Sequence, residues 1–242
     1  MEKNIIMLAM IGFCMGFVSF IHLVNAADPP PLQDFCVGAA DYKSSVFVNG
    51  KFCKNPKDVT IQDFLYKGFD IPGNTSTTLG ATAHLINDAL FPAVNTLGIS
   101  IGRIDFAPFG LNGPHLHPLA SEIFAVLEGT LYIGFVTTDN KLFDAVIKKG
   151  DVVVFPQGLI HFQLNIGKTD ALGIAGFGSQ NPGRTNIPNA IFGTAPTIFS
   201  DVLTKAFQVN EKVIQKLHNQ FINDDGSIES GRSLLKLISE AT

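Results

Sequence analysis

Gly113-Pro-His-Leu-His-Pro-Leu-Ala-Ser-Glu122, together with the later run Lys149-Gly-Asp-Val-Val-Val-Phe-Pro-Gln-Gly-Leu-Ile-His161, decides how this chain folds. Residues two apart on a β-strand face the same side, so His115 and His117 present both imidazoles together. Pro118 cannot donate to a ladder, so the strand ends or bends there, and the next strand can return Glu122 beside the histidines. The second run is β-rich, is interrupted by Pro156 and Gly158, and delivers His161. Three imidazoles and one carboxylate make a nitrogen-rich donor set that suits a divalent transition metal and leaves open positions on an octahedral ion. The other histidines lack this company. His22 lies in an apolar leader, and His84 and His218 stand alone in polar stretches, so all three are read as non-ligands.

Outward from these runs, short apolar segments recur with turn residues between them. Leu97–Phe106, Ser121–Leu127, Thr130–Thr137, Val146-Ile147, Asp151–Phe155, Ile160–Asn165 and Leu172–Phe177 read as strands separated by Glu128-Gly129, Asp139-Asn140 and Lys149-Gly150. That spacing argues for an antiparallel sandwich or barrel. Lys149-Gly-Asp151 is read as a turn between two strands and not as an adhesion motif. Gln163, two residues beyond His161, shares its face and points toward the same cavity, where its amide could tune a metal-bound water. Asn112 lies just before the ligand run and is a second candidate for that role.

The ends of the chain differ in character. Lys3 opens a leader whose residues 5–24 are nearly all apolar, and Val24-Asn25-Ala26 offers the small residues that a signal peptidase reads. A membrane anchor is the alternative, but Asp28-Pro-Pro-Pro31 directly after the small residues favours removal of residues 1–26. No other segment is long and apolar enough to span a bilayer. Residues 27–78 form a proline-led arm containing Cys36 and Cys53, with a short helical segment at Ile61–Tyr66. Cys14 leaves with the leader, so the remaining pair suits a disulfide in an oxidising compartment, two free thiols being the alternative. Asn74-Thr-Ser76 is the single glycosylation sequon and follows the turn signal Pro72-Gly73. Residues 79–199 hold the strands, and residues 200–242 change to a helical period.

In that last segment Ser200-Asp201 begins one helix, and Asn210 caps a second with Val213, Ile214, Leu217 and Phe221 on one face. Ser233–Glu240 is a third helical stretch. The apolar faces at Val202–Phe207 and Val213–Phe221 suit packing between subunits or coverage of the barrel end. The chain of 242 residues has net charge −4 and no basic patch, which argues against nucleic-acid binding. Its 46% hydrophobic content, with 21 phenylalanines and no tryptophan, suits a phenylalanine-packed β core.

Together these features resemble the germin family of the cupin superfamily. Gly113–Gly129 matches the first cupin motif and Gly150–Asn165 the second, with Gln33-Asp-Phe-Cys-Val37 and Ser179-Gln-Asn-Pro-Gly183 as further matches. The likeness spans residues 28–222, and nothing carries over to 223–242. It implies an all-β jelly-roll barrel with a disulfide-closed N-terminal arm and C-terminal α-helices. It places the family's four Mn²⁺ ligands on His115, His117, Glu122 and His161, and tips the helical faces toward a homo-oligomer, a hexamer built as a trimer of dimers. The implied protein is a secreted plant glycoprotein of the apoplast with a defence or stress role, no membrane anchor, and superoxide as a small-molecule substrate. The alternative is a non-catalytic extracellular binding or cell-wall protein whose metal is structural. Oxalate oxidation is not expected. In oxalate-oxidising germins an asparagine precedes the arginine of the strand leading into the ligand run, whereas Ile101-Gly102-Arg103 has glycine there.

Overall fold

The computed structural model describes residues 34–39 and 52–221. Ten strands form two five-stranded sheets: β1 (Ala81–Ile86), β2 (Ser100–Phe106), β3 (Leu111–Leu116), β4 (Glu122–Glu128), β5 (Thr130–Val136), β6 (Leu142–Lys148), β7 (Val152–Phe155), β8 (Ile160–Asn165), β9 (Ala171–Phe177) and β10 (Thr185–Asn186). The sheet orders are β1-β2-β9-β4-β7 and β10-β3-β8-β5-β6, with every pairing antiparallel. This is the expected jelly roll. Apart from the hairpins β1-β2 and β5-β6, consecutive strands alternate between the sheets, so one core forms where their inner faces meet.

Phe106, Phe124, Leu131 and Phe155 fill that core, each at most 1% exposed. Two glycines are fixed by close approach. Gly129 turns β4 into β5 with φ of +87°, and a Cβ there would lie 2.4 Å from that of Ala171. A Cβ on Gly173 would sit 2.0 Å from the Phe124 ring. Lys149-Gly-Asp151 is a turn, as expected: Gly150 has φ of +94°, and the Asp151 carboxylate accepts from Lys148 N at 2.9 Å.

β1 went unread because Ala81-Thr-Ala-His-Leu-Ile86 is half-exposed and lacks a clean alternation. The Ile61–Tyr66 segment narrows to a 3-10 turn at Ile61–Phe64. Cys36 and Cys53 are bonded, 17 residues apart, and Asn95 Nδ2 donates to Cys36 O at 3.0 Å, tying the arm to the barrel. A loop of that length contributes about 3 kcal/mol in the chain-entropy description.

Among the described residues three helices follow the strands: α1 (Ile187–Phe192), α2 (Ser200–Phe207) and α3 (Glu211–Phe221). Asn210 Oδ1 accepts from Val213 N at 3.1 Å, the expected cap. Part of each helical face is used within the chain, while Val202, Phe207 and Val213 remain exposed. Leu203 and Ile214 bury themselves with Phe192 in a second core, and Leu217 and Phe221 pack against it. α1 is what claims them, and six residues with Pro188 near the start are too short to show a period. The leader 1–26, most of the arm's disulfide loop and the Ser233–Glu240 stretch lie outside the described residues. No described helix is long and apolar enough to cross a membrane.

Candidate metal centre

β3 and β8 carry the centre on one sheet, and β4 faces it from the other. His115 is paired with His161 across β3 and β8, and Asn112 with Gln163, with a register shift between the two pairs. Gly113-Pro114 supplies that shift, because proline cannot donate to the ladder and a bulge absorbs it. The consequence is geometric. Asn112 and His115 are three apart and would face opposite sides of a regular strand, yet the bulge turns both inward. The chain leaves β3 at Leu116, so His117 sits in the connection, and β4 starts on Glu122.

His115, His117, Glu122 and His161 are all buried, and one ligand atom from each lies within 4.8 Å of the others. Three backbone carbonyls fix the rings. His115 Nδ1 donates to Gly113 O at 2.8 Å, His161 Nδ1 to Leu159 O at 2.9 Å, and His117 Nδ1 to Gly183 O. A carbonyl can only accept, so each Nδ1 holds the ring proton and each neutral ring presents an Nε2 lone pair. Phe155 stacks on His161 at 4.4 Å and Phe177 meets His117 edge-on at 4.8 Å, so packing also restrains the imidazoles.

Glu122 Oε2 lies 3.2 Å from both His117 Nε2 and His161 Nε2. With each Nδ1 already protonated, these contacts set lone pair against lone pair unless a cation stands between them. A proton can serve one contact at a time, whereas a metal ion satisfies all four donors together. The donor set therefore fits a divalent ion. Electrostatics agree. Burial, followed by the charges of Arg184 and His161, pushes the His115 pKa down to about 2, which keeps that ring an uncharged donor. Burial opposes ionisation of Glu122, but in the metal-free protein a proton placed on its contacts with His117 and His161 outweighs burial and holds the carboxyl at about 2.

Gln163 is fully buried on the His161 face, as its strand position required, and its Nε2 has no hydrogen-bond partner among the described residues. Its Oε1 accepts from Asn112 Nδ2 at 2.6 Å. Asn112 Oδ1 in turn accepts from Arg184 Nη2 at 2.7 Å. Asn112 reaches the cavity, but both ends of its amide are already engaged. Arg184 escaped the sequence reading because only folding brings β10 beside β3, where Asn186 pairs with His115. The one available signal was its position directly after Ser179-Gln-Asn-Pro-Gly183.

A cavity of about 490 Å³ opens beside the cluster, between the barrel mouth and the helices, and Gly102 lines it. His84 borders the same cavity but spends Nε2 on Tyr66 Oη at 2.9 Å. His218 is buried far along the chain, with Nδ1 on Phe192 O at 2.9 Å. Both remain outside the cluster, as expected. Asn74 is exposed in the turn after Gly73, its Oδ1 accepting from Ser76 N at 2.9 Å.

Residues 67–215 match the cupin family. Germin-like protein subfamily 1 member 7 of Arabidopsis thaliana is 52% identical over 201 residues, covering 82% of this chain and 87% of its own. A germin-like protein of Mesembryanthemum crystallinum is 48% identical over 220 residues, covering 85% and 94%. Among solved structures, a recombinant oxalate oxidase in complex with glycolate superposes with a TM-score of 0.78 at 43% identity, covering 81% of this chain and 98% of the other. Barrel, histidine cluster and relatives agree, and the chain belongs to the cupin family as one of its germin-like members.

Proposed function

We propose that this chain is a secreted, manganese-binding germin-like protein of the plant apoplast whose open metal positions turn over superoxide. The convergence of three imidazole nitrogens and one carboxylate oxygen within 4.8 Å carries this reading. His115, His117 and His161 would hold the ion through Nε2, and Glu122 through its carboxylate. Bound Mn²⁺ supplies a one-electron valence change and Lewis acidity at its remaining positions. The choice of manganese rests on the germin likeness, because this donor set would also accept Fe, Zn or Cu. The residues do the rest. Backbone carbonyls hold the rings in one tautomer, Glu122 offsets one charge, and the Gln163 Nε2 donor can meet an oxygen bound within the barrel.

Secretion is supported by the leader, by the paired Cys36 and Cys53, and by an exposed Asn74 as glycan acceptor. A role in defence or stress follows from the family likeness alone. A homo-oligomer larger than a dimer, a hexamer by that likeness, would use the apolar residues left exposed on the helical faces, Val202, Phe207 and Val213, together with a second apolar surface. Ile101, Gly176, Ile123 and Val154 stand in one row across β2, β9, β4 and β7, and the three branched residues are exposed on the outer sheet face.

The second reading, an extracellular binding protein whose metal stiffens the barrel, draws support from a cavity far larger than superoxide needs. Elemental analysis of the secreted protein, with superoxide dismutation measured before chelation, after it, and after Mn²⁺ restoration, separates the two. Activity that follows manganese supports the first reading. Stoichiometric manganese without dismutation leaves the second, and metal content unchanged in His117→Ala would overturn the site itself.

A further inference from the structure

Arg184 is the cation that the proposed metal site leaves unused. Its Nη2 donates to Asn112 at 2.7 Å and its Nε to Asn186 Oδ1 at 2.7 Å. No protein acceptor meets Nη1 among the described residues. Two asparagines thus orient a guanidinium at the border of the cavity that also holds His115, His117 and Glu122. The side chain remains open to solvent, so it keeps its charge, although crowding by the cavity walls lowers its pKa and Glu122 partly offsets that.

Away from the metal cluster and the polar residues Thr82, His84, Asn112, Asn186 and Asn189, the cavity wall is apolar. Leu79, Leu85, Ile104, Phe177 and Phe221 form much of its wall, and its volume of about 490 Å³ falls in the range of organic-ligand sites. A polar diatomic, or a dianion of a few atoms, would leave those walls wetted. An apolar body would cover them, and an attached carboxylate could take the free edge of the guanidinium, whose planar fork matches carboxylate geometry. The local charge favours the same choice, since a divalent ion opposed by one carboxylate adds to the positive field of Arg184.

We infer that the cavity binds a small organic monocarboxylate, its apolar body against the Leu79, Ile104 and Phe177 walls and its carboxylate on Arg184. Arg184 is a specificity residue here, held in place by Asn112 and Asn186. The inference goes beyond the metal reading and stands on the cavity and its cation.

Calorimetric titration of the full-length secreted protein with 3-phenylpropanoate tests it, using metal-free and manganese-loaded samples of wild type, Arg184→Gln and Arg184→Lys. Wild type should bind in both metal states. Arg184→Gln should weaken binding by roughly ten- to hundredfold, the range for a lost charge-assisted hydrogen bond, and Arg184→Lys should weaken it less. The neutral 3-phenylpropanol should bind weakly and equally to all three proteins. Manganese content should not change in either variant. Failure of the metal reading would appear as absent metal in wild type, and the metal-free titration would still decide this inference. Equal binding by wild type and Arg184→Gln, no binding by wild type, or binding that depends on the metal alone would overturn it. So would a fall in the light-scattering mass of Arg184→Gln, which would show that Arg184 pairs with a second copy instead.

Discussion

Replacing Gly102 by asparagine tests why this chain should oxidise oxalate poorly despite resembling an oxalate oxidase at 43% identity. Gly102 pairs with Ala175 on the inner row of its sheet and lines the cavity beside the histidines. Its φ lies outside the left-handed region, and an added Cβ would meet Phe177 Cε2 at 3.4 Å and Ala175 Cβ at 3.8 Å. These are ordinary contacts, so the substitution fits without moving the backbone. Asn112 cannot replace the missing donor, because Arg184 and Gln163 already engage its amide. An asparagine at 102 would therefore supply a new hydrogen bond to a charged oxygen, worth roughly 1.5–3 kcal/mol. If that bond acts in the transition state, the rate should rise about 10- to 150-fold. The assay is oxalate-dependent peroxide production at equal manganese content, with superoxide dismutation as the control that should barely change. Robust oxalate turnover by the unaltered protein would refute the reasoning, as would a Gly102→Asn variant that gains nothing.

The metal-free protein should lose stability as pH falls below 6.5. His115 is held at about 2 in the folded chain, so the unfolded chain alone takes up a proton from 6.5 downwards. That is about 1.4 kcal/mol per pH unit, or roughly 2 kcal/mol between pH 6.5 and 5. Glu122 adds to the loss from about 4.5 toward 2, and urea midpoints should flatten above pH 5 in His115→Gln. Ile214→Ala empties a fully buried position between the helices and should cost about 2–5 kcal/mol, read as a lower thermal midpoint with manganese content unchanged. Ile123→Lys with Val154→Lys should lower the light-scattering mass of the assembly, whereas an unchanged mass would move the subunit contact elsewhere.

Much of the centre could be read directly from the chain. Three of its four ligands sit within one turn's reach of Pro118, and the fourth stands near the start of β8, just past Pro156 and Gly158, so local sequence already grouped them. Gln163 was equally legible because β8 is regular and a two-residue step preserves the face. Asn112 was not, since its direction depends on the bulge at Gly113-Pro114, and a bulge shows itself only once the partner strand is paired.

What the sequence by itself determined is the barrel and its donor set. Alternation, turn residues and ligand type are properties of neighbouring residues, which a linear chain displays. What only the tertiary structure decided is who meets whom across the fold. α1 met Leu203 and Ile214 of the later helices and made a second core with them, deciding which part of each apolar face is used within the chain. β10 carried Arg184 to Asn112, 72 residues away in the chain, and so set a cation beside an apolar cavity. Neither outcome has a local cause. Each depends on contacts between segments whose meeting is fixed by burial of the whole core, and no short window of sequence contains both partners.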